Sequence, residues 1–478
     1  MTEAKRIRKN YLFSFLSISS RLIANVIVFW IIARYYGPDI FGQFSLAHTI
    51  ATISILLGDF GLDLLLTTEI SRDRKNASTL FQKFYSLKFL FSFTALFVMW
   101  GLSLFGNFST ATKLLILIFS FYMFFTTLTN FLYAFYKGFE KLEYETKVSL
   151  IINGGLLFVT IIFLIFKANI YIISIGFVLS RFVGFLSGLY YSFKILPEIE
   201  YKFNFKDINK VRNKILIFGF HLFFSNLYFQ LDTILLGLWK GDREVGIYQS
   251  VFKLILLPLV IPDIFNNTLI PVLSRLNIDN KILWKNIGFL MNKILTVIIF
   301  PIALILFIYA NQIINLIYGS KLYSNAIPIL RIFAIILVVR FLQETYALML
   351  TTSNKQHIKM FVVIFAALFN FLLNYFLIPK YGVTGAAMVS LITNTCIGII
   401  YIYFNASLFF KWMLNLKMFI LFSFTAIIFY FYWNFMKTNF IVGIVSILII
   451  YLIIALMFFT KEERKAILGR DFLTIGLK

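Results

Sequence analysis

The chain has 478 residues, of which 60% are hydrophobic, 19% aromatic and 14% charged, with a mean hydropathy of +0.88. Soluble domains carry about 25% charged residues, and disordered chains lack this density of Phe, Ile and Leu. Composition therefore excludes both classes. At roughly 20 apolar residues per crossing, the sequence has material for about 14 membrane helices. The net charge of +23, from 44 basic and 21 acidic residues, needs a membrane explanation before a nucleic-acid one.

In chain order, the basic N-terminus (Lys5, Arg6, Arg8, Lys9) precedes an apolar stretch from Tyr11 to Ala33. That stretch is too long for a signal peptide and no small-residue cleavage site follows, so it reads as a retained first helix. Apolar stretches predict spans at 11–34, 40–66, 84–105, 113–136, 147–166 and 170–194. A Lys-rich connection runs from Pro197 to Lys214. Further spans are predicted at 215–239, 245–270, 287–310, 325–350, 357–378, 382–404, 413–435 and 440–460. Fourteen helices result, with twelve as the alternative; the pair 357–378 and 382–404 is the least cleanly separated. The single cysteine, Cys396, forms no internal disulfide.

An even count places both termini on one side. One class of loops holds Arg72, Arg74, Lys75 and Lys83, then Lys137, Lys141 and Lys147, then Lys202, Lys206, Lys210, Arg212 and Lys214. It continues with Arg275, Lys281, Lys285, Lys355 and Lys359, and ends in a tail with Lys461, Arg464, Lys465 and Arg470. The opposite loops hold mostly single cations: Lys167, Lys240, Arg243, Lys321, Lys380 and Lys437. The positive-inside rule puts both termini in the cytoplasm, and most of the net charge is then topology. The longest outside loop, about Asn311 to Asn325, is too short to build an extracytoplasmic enzyme site.

The halves echo each other. Phe41-Gly42-Gln43-Phe44-Ser45 opens the second span after the turn Gly37-Pro38, and Val245-Gly246-Ile247-Tyr248-Gln249 opens the eighth after Gly241-Asp242. A weaker match sets Tyr136-Lys137-Gly138-Phe139-Glu140-Lys141 against Thr352-Ser353-Asn354-Lys355-Gln356. The expected organisation is a six-helix lobe over 1–196, a cytoplasmic linker at 197–214, and a second six-helix lobe over 215–410. Residues 411–478 add two further helices and a tail. Six helices per lobe imply a pseudo-two-fold axis along the membrane normal with a cavity between the lobes.

Ionisable residues at membrane depth are costly and usually face a cavity. Helix one carries Ser14, Ser17, Arg21 and Asn25 at helical spacing, and its repeat partner carries His221, Ser225, Tyr228 and Asp232. Helix two has His48, Thr52, Asp59 and Asp63; helix ten has Arg340 and Glu344, one turn apart. Isolated charges are Lys88, Arg181, Lys253, Asp263, Lys293 and Arg331. Lys88 and Lys293 read as snorkelling cations near helix ends. Arg21, Asp59, Asp232 and Arg340 lie well inside spans; cavity lining and structural ion pairs are the two readings. Pro258 and Pro262 predict a kink in helix eight. The sequence contains no phosphate-binding GxxxxGK loop, no clustered His or Cys for zinc and no GxSxG turn, so neither catalysis nor a metal or cofactor is expected.

Several segments resemble one family. Ala33-Arg34-Tyr35-Tyr36-Gly37-Pro38-Asp39-Ile40-Phe41-Gly42-Gln43-Phe44 is similar to the helix one–two junction of bacterial polysaccharide flippases. Gly58-Asp59-Phe60-Gly61-Leu62 with Glu69-Ile70-Ser71-Arg72 resembles the end of their second helix. Leu231-Asp232-Thr233-Ile234-Leu235-Leu236-Gly237 and Val245-Gly246-Ile247-Tyr248 resemble their seventh and eighth helices. Pro379-Lys380-Tyr381-Gly382-Val383-Thr384-Gly385-Ala386-Ala387 resembles the start of their twelfth. The family is the Wzx-type group of the multidrug/oligosaccharidyl-lipid/polysaccharide exporter superfamily, and the matches spread over about 400 residues.

The resemblance implies two six-helix lobes, alternating access, and flipping of undecaprenyl-pyrophosphate-linked oligosaccharide across the cytoplasmic (inner) membrane. Such cargo feeds O-antigen, capsule or exopolysaccharide synthesis. Arg34, Gly37, Asp59 and Asp232 match its motif positions. A cationic, hydrated cavity suits a pyrophosphate, and Arg forks pair two phosphate oxygens. Arg21, Asn25, Arg34, Arg181, Lys253 and Arg340 are therefore the candidate cargo contacts. Asp59, Asp63, Asp232, Asp263 and Glu344 are candidates for ion coupling or structural charge. Expected partners are the lipid-linked oligosaccharide, membrane lipid and other polysaccharide-assembly proteins, with no nucleic acid. The alternatives are a same-fold transporter of peptidoglycan lipid precursor or drugs, and a membrane glycan polymerase or ligase.

Overall fold

The structure, a computed structural model, describes residues 3–199, 201–203, 219, 227, 230–319, 321–406, 415–436, 439–461 and 463–464. Among these residues the protein is helices joined by short turns, with no strand. The elements are α1 (Glu3–Asp59), α2 (Leu62–Arg72), α3 (Ala77–Phe105), α4 (Thr110–Gly138), α5 (Leu142–Ile165) and α6 (Ile170–Ile195). Then come α7 (230–239), α8 (Asp242–Asp279), α9 (Lys281–Ile308), α10 (Ala310–Tyr318), α11 (Ala326–Thr352) and α12 (Gln356–Phe404). The last two are α13 (Leu416–Phe431), which continues as a π-helical turn to Met436, and α14 (Phe440–Phe458).

Among the described residues, eleven helices are long and apolar enough to cross a membrane. Two of these stretches are double length: Leu16–Asp59, with 44 residues, and Gln356–Phe404, with 49. At about 1.5 Å per residue each exceeds twice the ~30 Å hydrocarbon core. Each also contains one non-helical residue, Gly37 (φ 76°, ψ 176°) in α1 and Gly382 (φ 53°, ψ −133°) in α12. Only glycine visits such angles cheaply, and Pro38 and Pro379 flank the breaks. The poorly separated pair 357–378 and 382–404 is thus one kinked element. Most of the expected span 215–239, with His221, Ser225 and Tyr228, lies outside the described residues.

Two of the differences from the sequence expectation have a visible cause in the backbone. The span expected over 40–66 ends at Asp59, where Phe60 (φ 43°) and Gly61 (φ 84°) break the helix before α2. The loop expected at 311–325 holds α10, which ends on Gly319 in the left-handed region. Elsewhere the ends are set by side-chain caps. Ser109, Asn169, Asn280 and Asn415 accept hydrogen bonds from the backbone N–H of Thr112, Ile172, Leu283 and Lys417, satisfying donors that a helix start leaves open.

The chain divides into two compact units, Met1–Gln249 and Ser250–Lys478, with the division inside α8. In the first unit α4 packs against α1, α3 and α6. Lipid gives apolar helices no solvent-driven reason to associate, so close packing and interhelical hydrogen bonds carry the assembly. Gly184 and Gly188 bring α6 onto Ile152 and Tyr136, and the Tyr136 hydroxyl donates to the Gly188 carbonyl at 2.5 Å. Asn153, Ser149 and Ser20 link α5 to α1 through their side chains. In the second unit α9 packs against α11, α13 and α14. Trp284 donates to Thr352 at 3.0 Å and the Tyr309 hydroxyl donates to the Met436 carbonyl at 3.0 Å.

Candidate functional site

The strongest concentration of buried charge lies where α1 breaks into α2. Asp59 is the last residue of α1 and Asp63 the second of α2, so the two carboxylates stand on either side of the Phe60–Gly61 break. The Asp63 backbone N–H donates to Asp59 Oδ1 at 3.1 Å, and Asp59 thereby caps α2. Lys88 of α3 closes the group: its Nζ is 2.8 Å from Asp59 Oδ1 and 2.7 Å from Asp63 Oδ1. The Lys88 side chain is 0% exposed.

The snorkelling expected of Lys88 does not occur. Lys88 is the twelfth residue of α3, about 16 Å from its start at 1.5 Å per residue, beyond the reach of a lysine stem. A buried ammonium at that depth requires anionic partners, and two aspartates supply them. The group as a whole carries one excess negative charge when both carboxylates are ionised. Lys293 behaves alike: 13 residues into α9, it pairs with Glu463 at 2.6 Å and sits over the Phe289 and Phe458 rings. Glu463 also accepts the Thr460 N–H while Thr460 Oγ1 accepts the Glu463 N–H, a reciprocal capping box beyond α14.

Arg181 is 8% exposed on α6. Its guanidinium stacks on Tyr122 at 5.1 Å, and Nη2 donates to the Tyr122 hydroxyl at 3.2 Å. His48 lies beside the same ring at 5.4 Å, enclosed by Phe29, Phe44, Phe119 and Phe177. The helix-one stripe divides rather than forming one face. Ser17 is buried and its carbonyl accepts from Ser149, Arg21 is exposed, and Asn25 donates back to the Arg21 carbonyl. The side chain of Ser14 is outside the described residues. Arg34 is exposed beside a small recess of about 380 Å³ with Trp30, Ile31 and Tyr35.

Asp232 is 3% exposed and accepts from the Tyr248 hydroxyl at 2.7 Å, while the neighbouring Thr233 accepts from Gln249 at 2.7 Å. Both pairs join α7 to α8. The start of α8 is held by Asp242, whose carboxylate accepts from Ser109 at 2.6 Å and Thr112 at 2.7 Å.

In the second unit, α8 and α11 bring four polar residues together. Asn266 donates to Glu344 at 2.6 Å, and Asp263 lies within the electrostatic influence of Glu344 and Arg340. Lys253 is half-buried farther back on α8. Pro258 and Pro262 leave the carbonyls of Leu254 and Pro258 without helical donors immediately before Asp263. Arg331 stands apart, stacked on Trp433 at 5.2 Å and Phe307 at 5.9 Å.

The hairpin α13–α14 carries an apolar groove of about 670 Å³. Ile420, Phe424, Ile427 and Phe431 line one wall and Ile450, Ile453 and Met457 the other. Lys417 is its one charged lining residue. From Lys417 to Tyr432 the groove follows 15 residues of helix, about 22 Å.

The family model described as "Polysaccharide biosynthesis protein" matches residues 7–277, more than half of the chain. The chain belongs to the polysaccharide biosynthesis protein family. A second family model, MatE, matches residues 218–376 of this family member. The chain's fold is similar to that of a solved structure described as lipid II flippase MurJ, inward closed conformation, with a TM-score of 0.73 and 19% identity, covering 97% of this chain and 100% of that one. An inward-facing multidrug resistance MATE family transporter of the MOP superfamily gives a TM-score of 0.66 at 16% identity, covering 82% and 98%. The teichuronic acid biosynthesis protein TuaB of Bacillus subtilis (strain 168) is 28% identical over 116 residues, 24% of this chain. The matched region spans 23% of that curated relative's length. The chain is therefore a multi-pass membrane protein whose fold is similar to that of these transporters.

Sequence reasoning missed the roles of Lys88, Lys293 and Asp242. For the lysines the signal was depth, since neither is within a side chain's length of a helix end. For Asp242 there was none, because Ser109 and Thr112 are 133 and 130 positions away.

Proposed function

We propose that this protein is a flippase that moves polyprenyl-pyrophosphate-linked oligosaccharide across the bacterial cytoplasmic membrane by alternating access, for cell-surface polysaccharide assembly. The observation that carries the reading is the α13–α14 groove: apolar, following about 22 Å of helix, and bearing a single lysine at one end. A polyprenyl chain fits such a wall, and Lys417 stands where a phosphate would follow. Membership of a polysaccharide family and the fold shared with a lipid flippase support the same cargo class.

In this reading the lobes are 1–196 and 215–410, joined by a cytoplasmic linker at 197–214, and both termini are cytoplasmic. The protein moves its cargo without altering it chemically. Arg21, Arg34, Arg181, Lys253 and Arg340, with Asn25, serve the pyrophosphate and sugar. The Asp59–Lys88–Asp63 group and the Asp263–Glu344 region, with Asp232, carry the charge changes that accompany the cycle. Lys88 holds both sides of a helix break, so protonation of either carboxylate would loosen its grip on that hinge.

The test is flipping in proteoliposomes carrying a polyprenyl-pyrophosphate oligosaccharide, read as sugar accessible to an enzyme added outside. Protein-dependent translocation that Arg21→Ala and Arg340→Ala lose, while remaining folded, is the expected result. Wild-type rates in both variants would overturn the cationic-cavity assignment. Transport of peptidoglycan lipid precursor instead would move the reading to that cargo, and a lengthened glycan would identify an enzyme.

A further inference from the structure

At the α5 start and α6 end, two lysines gather on a tyrosine cluster. Lys147 Nζ lies 5.4 Å from the centre of the Tyr144 ring and 5.7 Å from that of Tyr191. Lys194 Nζ lies 4.7 Å from Tyr190 and 5.9 Å from the same Tyr191 ring. The rings pack on one another, Tyr144 to Tyr191 at 5.1 Å and Tyr190 to Tyr191 at 5.3 Å. One aromatic ring is thus shared by two exposed ammonium groups from adjacent helices.

Among the described residues neither lysine forms an ion pair. Glu145, in the first turn of α5, is engaged by Lys137 at 3.3 Å. Tyrosine faces attract a cation by about 0.5–1 kcal/mol at exposed sites without neutralising it, so among the described residues the positive charge is gathered without an ion pair.

Next to these cations the two helices present apolar side chains. Leu150 (49% exposed) and Ile151 (40%) follow Lys147 by three and four residues, on the same face of α5. Leu186 (46%) and Tyr190 (57%) precede Lys194 by eight and four residues on one face of α6. Lys147 is the sixth residue of α5 and Lys194 the last but one of α6, which is headgroup depth for spans of this length. A pair of cations outside any ion pair among the described residues, above an exposed apolar strip, matches one ligand geometry: a phosphate head with acyl chains hanging below it.

We propose that Lys147, Lys194, Tyr190 and Tyr191 form a binding site for the phosphate headgroup of an anionic phospholipid at the α5–α6 edge of the first unit. The leaflet occupied, the cytoplasmic one, rests on the topology proposed above; the site itself does not depend on the transported cargo. The bound lipid anchors α5 and α6 against the bilayer while other helices move.

The experiment is native mass spectrometry of the full-length protein released from detergent containing phosphatidylglycerol or phosphatidylcholine, with no cargo present. Wild-type protein is expected to retain at least one phosphatidylglycerol more tightly than phosphatidylcholine. Lys147→Gln/Lys194→Gln should weaken that retention about 30-fold, at the strength of a juxtamembrane cation for each lysine. Lys147→Arg/Lys194→Arg should keep it, and a thermal melt checks that each variant is folded. Equal retention in the Gln double variant, or no preference for phosphatidylglycerol in wild type, overturns the site. Displacement of the lipid by millimolar inorganic phosphate would show that a free anion suffices and overturns the lipid assignment. Because nothing is transported, a failed flipping assay leaves this result intact.

Discussion

Gly42 and Gly246 each pack against the turn that precedes the other. A Cβ on Gly42 would stand 1.7 Å from the Asp242 carbonyl oxygen, and one on Gly246 would stand 1.9 Å from the Pro38 carbonyl oxygen. The offset from 38 to 242 equals that from 42 to 246, 204 positions in each case, and the ion pair of Asp39 with Arg243 at 3.6 Å has the same offset. Residues expected from sequence to be repeat equivalents are therefore each other's contact. Gly37 and Gly241, both in the left-handed region, turn the backbone immediately before.

This contact predicts a steep size limit. Gly42→Ala and Gly246→Ala should each destabilise the protein by about 1–3 kcal/mol, the usual cost of overpacking, because backbone rather than a movable side chain is struck. In a Cys396→Ser background, Asp39→Cys/Arg243→Cys should cross-link readily, and adding Gly42→Ala should lower the yield. The Asp39–Arg243 pair itself is more than half exposed on both sides, so Asp39→Asn should change the melting temperature little.

Lys88→Met should be among the most damaging single changes. It leaves Asp59 and Asp63 facing each other without a counter-ion, and removing one partner of a buried ion group costs about 3–5 kcal/mol. The triple variant Lys88→Met/Asp59→Asn/Asp63→Asn should regain most of that stability in a detergent melt. If it stays as unstable as Lys88→Met alone, the charge group is not what holds the break.

The pair of Lys293 and Glu463 fastens the end of α14 to α9. Glu463→Gln keeps the capping box, since Gln serves that position, but loses the ion pair; Glu463→Ala loses both. Hydrogen exchange over 440–458 should rise in Glu463→Gln and rise further in Glu463→Ala. Equal exchange in both variants would mean that the cap adds nothing to the latch.

Asp232→Asn keeps a hydrogen-bond acceptor for the Tyr248 hydroxyl, whereas Asp232→Ala leaves that hydroxyl and the α7–α8 junction without it. Asp232→Ala should therefore cost about 1.5–3 kcal/mol, the usual net worth of a hydrogen bond to a charged group, with Asp232→Asn the milder of the two. If transport falls in Asp232→Asn while the melt is unchanged, the carboxylate charge acts in the cycle beyond its structural bond.

Much of the architecture was legible because its causes are local. Runs of apolar residues longer than a bilayer crossing set the spans, and the excess of lysine and arginine in alternate loops set the expected orientation. Gly37-Pro38, Gly241-Asp242 and the 204-position echo marked the repeat. The span expected over 40–66 ran past its true end because Leu62–Leu66 continue the apolar pattern, whereas two left-handed backbone angles at Phe60 and Gly61 end it.

The sequence by itself determined that this chain is a helical membrane protein, roughly where most of its spans lie and which glycines punctuate them. Those properties depend on hydropathy and backbone preference within a few residues. Only the tertiary structure decided what each charge does. Lys88 meets Asp59 and Asp63 across 29 and 25 positions, Lys293 meets Glu463 across 170, and Arg181 stacks on Tyr122 across 59. In a low-dielectric interior a charge is tolerated only where packing supplies its partner, and packing is a property of the fold, not of neighbouring residues.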